Sequence, residues 1–262
     1  MADAWFSSLG SGTFATAALT ILLRPGEFSP AARVAFLITF PVMVADTVCL
    51  IFDLGDPLRF HHMLRVFRPG SAMSMGVWAI VAFTLLAFLS FAGVLFGLPD
   101  TPLRVVAALG LIPALTVSSY KGVLFSTTAQ PAWRRMRWLG AALSGSAGAM
   151  GAAVLAGIAV ALELSATYHV VFTLFAVLLL LNLIITRRTL VGLADIANDR
   201  RRGRFVLGHR LITYFGNLVP LLLINPWAKS SVLTWVAIAI VLLAALAFRS
   251  LIVSLPSAAA VS

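Results

Sequence analysis

Charge is what this sequence has least of. Only 11% of its 262 residues are Asp, Glu, Lys or Arg, and just nine residues are acidic. A water-soluble domain carries roughly 25% charged residues to cover its surface. With 61% hydrophobic residues and a mean hydropathy of +1.02, this chain cannot do so. Disordered, fibrous, disulfide-rich secreted and ordinary globular classes are excluded, which leaves a polytopic membrane protein. Cysteine is nearly absent too. Cys49 stands alone, so no internal disulfide can form and no multi-cysteine zinc or iron–sulfur site can be built, and any redox metal is expected in a partner. Phosphate-binding, zinc-hydrolase and nucleophile-elbow signatures are missing, so a soluble-type catalytic mechanism has no residues, and no nucleic-acid motif is present. The formal charge of +10 therefore points to cytoplasmic loops or an acidic protein partner.

What is present in quantity is apolar length. A spanning helix needs roughly 20 mainly apolar residues, and eight such stretches can be read: 5–23, 34–53, 73–98, 105–126, 139–164, 170–186, 207–224 and 232–255. Continuous runs such as Leu174–Leu181 do not alternate as barrel strands would. The expected fold is an all-α integral membrane protein, a single polytopic domain of eight transmembrane helices open to division into two four-helix halves. Small residues crowd the first and fifth stretches (SSLGSGTFATAA and LSGSAGAMGAA), the two that would open such halves, and allow close backbone approach. The first stretch lacks a positive n-region and carries Asp3, so it reads as a retained helix and not a signal peptide. Eight spans put both termini and the loops after spans 2, 4 and 6 on one side. All the basic residues except Arg24, Arg33, Arg104 and Lys229 fall there, Lys121 and Arg249 included, so the positive-inside rule predicts cytoplasmic termini. The longest loop, roughly Arg187–Val206, is a short basic segment.

Ionisable groups inside a bilayer are costly and need a partner or a purpose. Asp46 lies near the middle of the second span, and Asp53 follows two helical turns later on the same face, about 10 Å nearer the basic side. Two readings are open: a carboxylate ladder that passes protons, or an Asp46 that is neutral and hydrogen-bonded to a neighbouring helix. Tyr120 falls inside the fourth span with Lys121 directly after it. A phenol can donate to a quinone carbonyl while its ring packs on the apolar ring system; simple packing of the tyrosine and snorkelling of the lysine are the alternatives. Residues 52–78 set Asp53 and Asp56 beside Arg59, Arg65 and Arg68, with His61 and His62 between and Gly55, Pro57, Pro69 and Gly70 breaking the helices. Such a loop could bind a polar head, relay protons or stabilise itself. The histidines are not disposed as a pair of axial haem ligands, since His61 and His62 are loop residues, His169 is on the other side and His209 is at a helix end.

The loop pattern Asp53-Leu-Gly-Asp-Pro57-Leu-Arg59-Phe60, followed by Pro69-Gly-Ser71-Ala-Met73-Ser74-Met-Gly76-Val-Trp78, resembles the signature of the NrfD/polysulfide reductase membrane-subunit family. Ser119-Tyr120-Lys121-Gly122 and Pro131-Ala-Trp133 are similar to the family's fourth-helix segment. The resemblance implies a subunit with no redox cofactor of its own. Such a subunit anchors a ferredoxin-like iron–sulfur protein, usually with a molybdopterin catalytic subunit, and exchanges electrons with membrane quinone or menaquinone in the bacterial inner membrane. It places the quinone-contacting tyrosine at Tyr120. Polar family residues at the start of the first helix have no clear match among Trp5, Phe6, Ser7 and Ser8.

Together these readings make Tyr120, Lys121, His61 and Arg59 the quinone-binding candidates. Asp46 and Asp53 are the proton-path candidates, with His61 and Arg59 able to handle protons as well, and Arg65, Arg68, Arg134 and Arg135 are the partner-docking candidates. No catalytic residue and no metal site are expected. Two rival readings stand beside this one: a secondary transporter or proton/ion conductor, motivated by Asp46, and a purely structural anchor.

Overall fold

In a bilayer every backbone N–H and C=O must find its partner within the protein, and a helix satisfies that demand locally. The computed structural model describes residues 2–53, 55–127, 131–134, 136–194, 200–224 and 231–259; it is 90% helical, with no strand among the described residues. Eight helices are long and apolar enough to cross a membrane: α1 (Ala2–Leu23), α2 (Pro25–Phe52), α3 (Ala72–Leu95), α4 (Asp100–Thr127), α6 (Leu139–Ala161), α7 (Tyr168–Ala194), α8 (Arg200–Leu223) and α9 (Ser231–Ala259). A single helical turn, α5 (Pro131–Arg134), lies between α4 and α6. The chain is thus a multi-pass, all-α membrane protein. Its helices run on through Pro41, Pro113 and Pro220.

The eight long helices close into two rings of four. In the first, α1 packs on α2, α2 on α3, α3 on α4 and α4 back on α1; in the second, α6, α7, α8 and α9 do the same. Phe14 of α1 is the hub of the first ring: its side chain meets Phe36 of α2 and Phe83 of α3, each at 5.2 Å between ring centroids, and fills the space left by Gly110 of α4. The rings join along α1 and α6, the two most enclosed helices. A Cβ on Gly12 would run into the carbonyl of Ala147, and one on Gly151 into the carbonyl of Gly12, so the two backbones touch directly. Van der Waals contact is the main attraction between helices in lipid, and small residues maximise it.

Two expectations need correction. Arg187–Val206 is not mainly a loop: α7 runs on to Ala194 and α8 starts at Arg200, because backbone hydrogen bonding continues a helix past the end of its apolar stretch. Lys121 and Arg249, counted among the charges facing the basic side, lie inside the protein at 6% and 2% exposure, so the charge bias rests on the other residues.

The α1–α6 contact has a direct test. Gly151→Val would force two backbones apart and should cost roughly 3 kcal/mol or more, seen as loss of the monodisperse peak in detergent chromatography. Gly208→Ala, where an added Cβ meets nothing within 4 Å, should leave the peak and Tm intact.

Candidate functional site

Lys121 projects from α4 into the space between α1 and α2. Its ammonium pairs with Asp3 Oδ2 at 2.9 Å and Asp46 Oδ1 at 3.5 Å, and donates to the Ser7 hydroxyl at 3.0 Å. Three helices therefore meet on one nitrogen. Asp46 is fully buried, and its second oxygen, Oδ2, has no hydrogen-bond partner among the described residues. Two carboxylates share one ammonium, so the group can take up a proton without leaving a lone buried cation. Lys121 does not snorkel, and Asp46 is held by a charge where a neutral hydrogen-bond partner was one alternative.

Tyr120, one residue back on α4, is 7% exposed. Its ring lies over Gly76 of α3 so closely that any Cβ there would overlap it, and the Lys121 ammonium is 5.6 Å from the ring centroid. Gly122 gives α4 the same closeness on its other side, against the backbone of Gly140 in α6. Tyr120 and Lys121 are thus fixed by glycine contacts on both flanks.

The segment ahead of Gly76 is built by local capping. Ser71 caps α3, its hydroxyl accepting from the Ser74 N–H at 3.4 Å; the Ser74 hydroxyl in turn accepts from the Arg68 N–H at 3.0 Å and donates to the Val66 carbonyl at 3.3 Å. Before it, a 3-10 helix spans Pro57–Leu64. Asp53 sits exposed at the C-cap of α2. His61 and His62 are exposed and lie ring against ring, 4.2 Å between centroids, and the Arg65 Nη1 lies 3.4 Å from His62 Nδ1. Arg68 and Arg134 are exposed. Arg59 lies in the 3-10 helix with its side chain outside the described residues, as is the whole of Arg135. The structure therefore brings Tyr120, Lys121 and Asp46 together, and places Asp53, His61, Arg65, Arg68 and Arg134 at the surface.

A family model for polysulfide reductase, of the NrfD type, matches residues 4–260. The chain belongs to the NrfD polysulfide reductase family. A comparison with curated proteins gave no match. For an NrfD-family chain the family points to the membrane subunit of a respiratory oxidoreductase, and the motif glycine and serines acquire physical roles: Gly76 admits Tyr120, Ser71 caps α3, and Ser74 ties the preceding loop to it. Sequence reasoning missed Asp3 and Ser7. Asp3 was weighed only as evidence against a signal peptide, and Ser7 matched no family position. The available signal was an acid and a hydroxyl four residues apart, one helical turn, on an otherwise apolar helix.

Removing one partner from a buried ion pair leaves an uncompensated charge and typically costs about 3–5 kcal/mol. Lys121→Met should therefore lower Tm in detergent sharply. Adding Asp46→Asn to it should restore part of the loss, and purely additive losses would show that the two groups are not coupled.

Proposed function

We propose that this chain is the quinone-interacting membrane anchor of a respiratory oxidoreductase complex, exchanging electrons between the quinone pool and an iron–sulfur partner. The observation that carries this reading is the adjacency of a tyrosine ring wedged over Gly76 and a buried Lys121–Asp3–Asp46 ion cluster. Oxidation of a quinol releases two electrons and two protons. The Tyr120 phenol donates a hydrogen bond to the quinol oxygen and orients the ring; Asp46 Oδ2 takes the two protons one after the other, handing the first on toward Asp53 before the second arrives, and Lys121 stays balanced by the Asp3 carboxylate while Asp46 is neutral. Asp53, at the surface end of α2, is the next carboxylate toward the basic side, where His61 passes protons to water and the always-charged Arg59 orients the head group.

The electrons leave to iron–sulfur clusters in a ferredoxin-like partner docked over Arg65, Arg68, Arg134 and Arg135, and a molybdopterin subunit completes the complex. Exposed arginines offer an acidic partner surface both attraction and bidentate hydrogen bonds. The complex lies in the bacterial inner membrane with both termini of the anchor cytoplasmic. Unbroken helices through Pro41, Pro113 and Pro220 favour this reading over a transporter, whose midplane sites are typically formed by discontinuous helices.

The test is to purify the tagged chain with its partners from native membrane and add quinol. Reduction of the co-purifying iron–sulfur chromophore is expected, and Tyr120→Phe should slow it roughly tenfold or more, as loss of about 1.4 kcal/mol in the transition state would, with the complex still assembled. An intact iron–sulfur partner that stays oxidised in the wild-type complex overturns the quinone role. Unchanged Tyr120→Phe kinetics removes the tyrosine from it.

A further inference from the structure

The two rings of helices carry the same device twice. In the first ring an aromatic–cation pair on the fourth helix, Tyr120-Lys121, reaches a hydroxyl on the first helix, Ser7. In the second ring, Phe248-Arg249 on α9 reaches Ser146 on α6, Arg249 Nη1 donating at 3.1 Å. The second copy has no carboxylate: none among the described residues lies within ion-pair reach of Arg249. Its guanidinium donates from Nη1 to Ala245 O at 2.8 Å and from Nε to Ala4 O at 2.9 Å, while Nη2 has no hydrogen-bond partner among the described residues.

The bond to Ala4 crosses from one ring to the other. Ala4 O also accepts from the Ser7 hydroxyl at 3.3 Å, and that hydroxyl accepts from the Lys121 ammonium. One carbonyl thus joins the two cations through a single serine. The first two turns of α1 supply two of the groups around Lys121, Asp3 and Ser7, yet helix ends fray unless tied down. Beside the bonds to Lys121 itself, α9 supplies two ties: Arg249 on Ala4, and the Trp5 indole donating to Leu242 O at 3.1 Å. A buried guanidinium is a strong choice for such a tie, because its planar fork is always charged and loses little freedom per bond formed.

We propose that Arg249 is a positioning residue for the Lys121 cluster, holding the start of α1 so that Asp3 and Ser7 meet the ammonium. The proposal rests on the functional reading above only for its kinetic arm; its structural arm is independent. Lys121 and Lys229 are the only lysines in the sequence, so full-length protein carrying 15N at the lysine side-chain nitrogen gives two ammonium signals in lipid nanodiscs, assigned by Lys229→Arg.

Arg249→Gln is expected to displace the Lys121 signal, and Ser146→Ala, which removes one hydroxyl from the guanidinium, to displace it less. If Arg249→Gln fails to fold, Ser146→Ala carries the test. A Lys121 signal that stays in place in the folded variants overturns the proposal, since a role confined to packing would leave it unmoved. In the assembled complex Arg249→Gln should lower kcat for quinol oxidation on the order of tenfold with KM unchanged, the upper range for a residue acting through others, and Arg249→Lys should recover part of that loss. Unchanged kcat beside a displaced Lys121 signal upholds the positioning and removes the cluster from quinol oxidation. A wild-type complex inactive on quinol would refute the quinone reading, and the ammonium signals would then decide the role of Arg249 alone.

Discussion

An ammonium inside a membrane protein must be compensated where it lies, and this structure is organised around one. Taking a charge out of water costs several kcal/mol per ion even after relaxation. Lys121 therefore exists at 6% exposure only if acids from elsewhere are carried to it. Asp3 and Asp46 belong to α1 and α2, Lys121 to α4, so the ion cluster fixes three of the four helices of the first ring at one depth. It also fixes them at one separation. The close helix approach that glycines and alanines permit along α1, α3, α4 and α6 is the steric counterpart of that electrostatic demand: a bulkier residue at Gly12, Gly76 or Gly122 would move a helix that the cluster needs in place.

The second ring solves the problem of buried polarity differently. Its interior polar groups are mainly neutral: the Asn182 amide donates to the Asn217 Oδ1 at 2.8 Å, the Asn217 amide to the Thr213 carbonyl at 2.6 Å, and the His209 ring stacks on Phe248. A neutral amide pair stiffens a helix contact in lipid without asking for a counter-charge. Among the described residues only Arg249 breaks that rule, and it does so at the seam, where three bonds to backbone and hydroxyl oxygens spread its charge over α1, α6 and α9. One ring handles charge while the other holds it in position. The two rings share a plan in which the first helix of each, α1 and α6, forms the seam.

The sequence displays the fold more openly than the site. Hydropathy alone marks all eight spans, and the runs of small residues in the first and fifth mark the helices that meet at the seam, because both signals are local. Asp46, Tyr120 and Lys121 stand out for the same reason: each is an oddity within its own span. Which of them meet is not local information. Asp46 and Lys121 are 75 residues apart, and nothing in either span says that one answers the other. Asp3 looked like a feature of the terminus, and Lys121 and Arg249 counted with the charges of the basic side, because charge counted along a sequence carries no depth. Depth comes only from packing, which decides whether a cation near a helix end turns outward to the head groups or inward to an acid.

The family motif divides along the same line. Gly76, Ser71 and Ser74 lie on the side that builds: they clear room for a ring and cap a helix with hydrogen bonds that any folded member needs. Asp53, His61 and Arg65 are held at the surface by that construction and face water, where a charged group costs little to keep and can meet a partner or a proton. Asp46 and Lys121 lie outside the motif's loop, in the interior. The interior and the surface are tied together by the scaffold residues, since α2 runs on from Asp46 to its C-cap at Asp53 while the capped start of α3 sets the loop that follows.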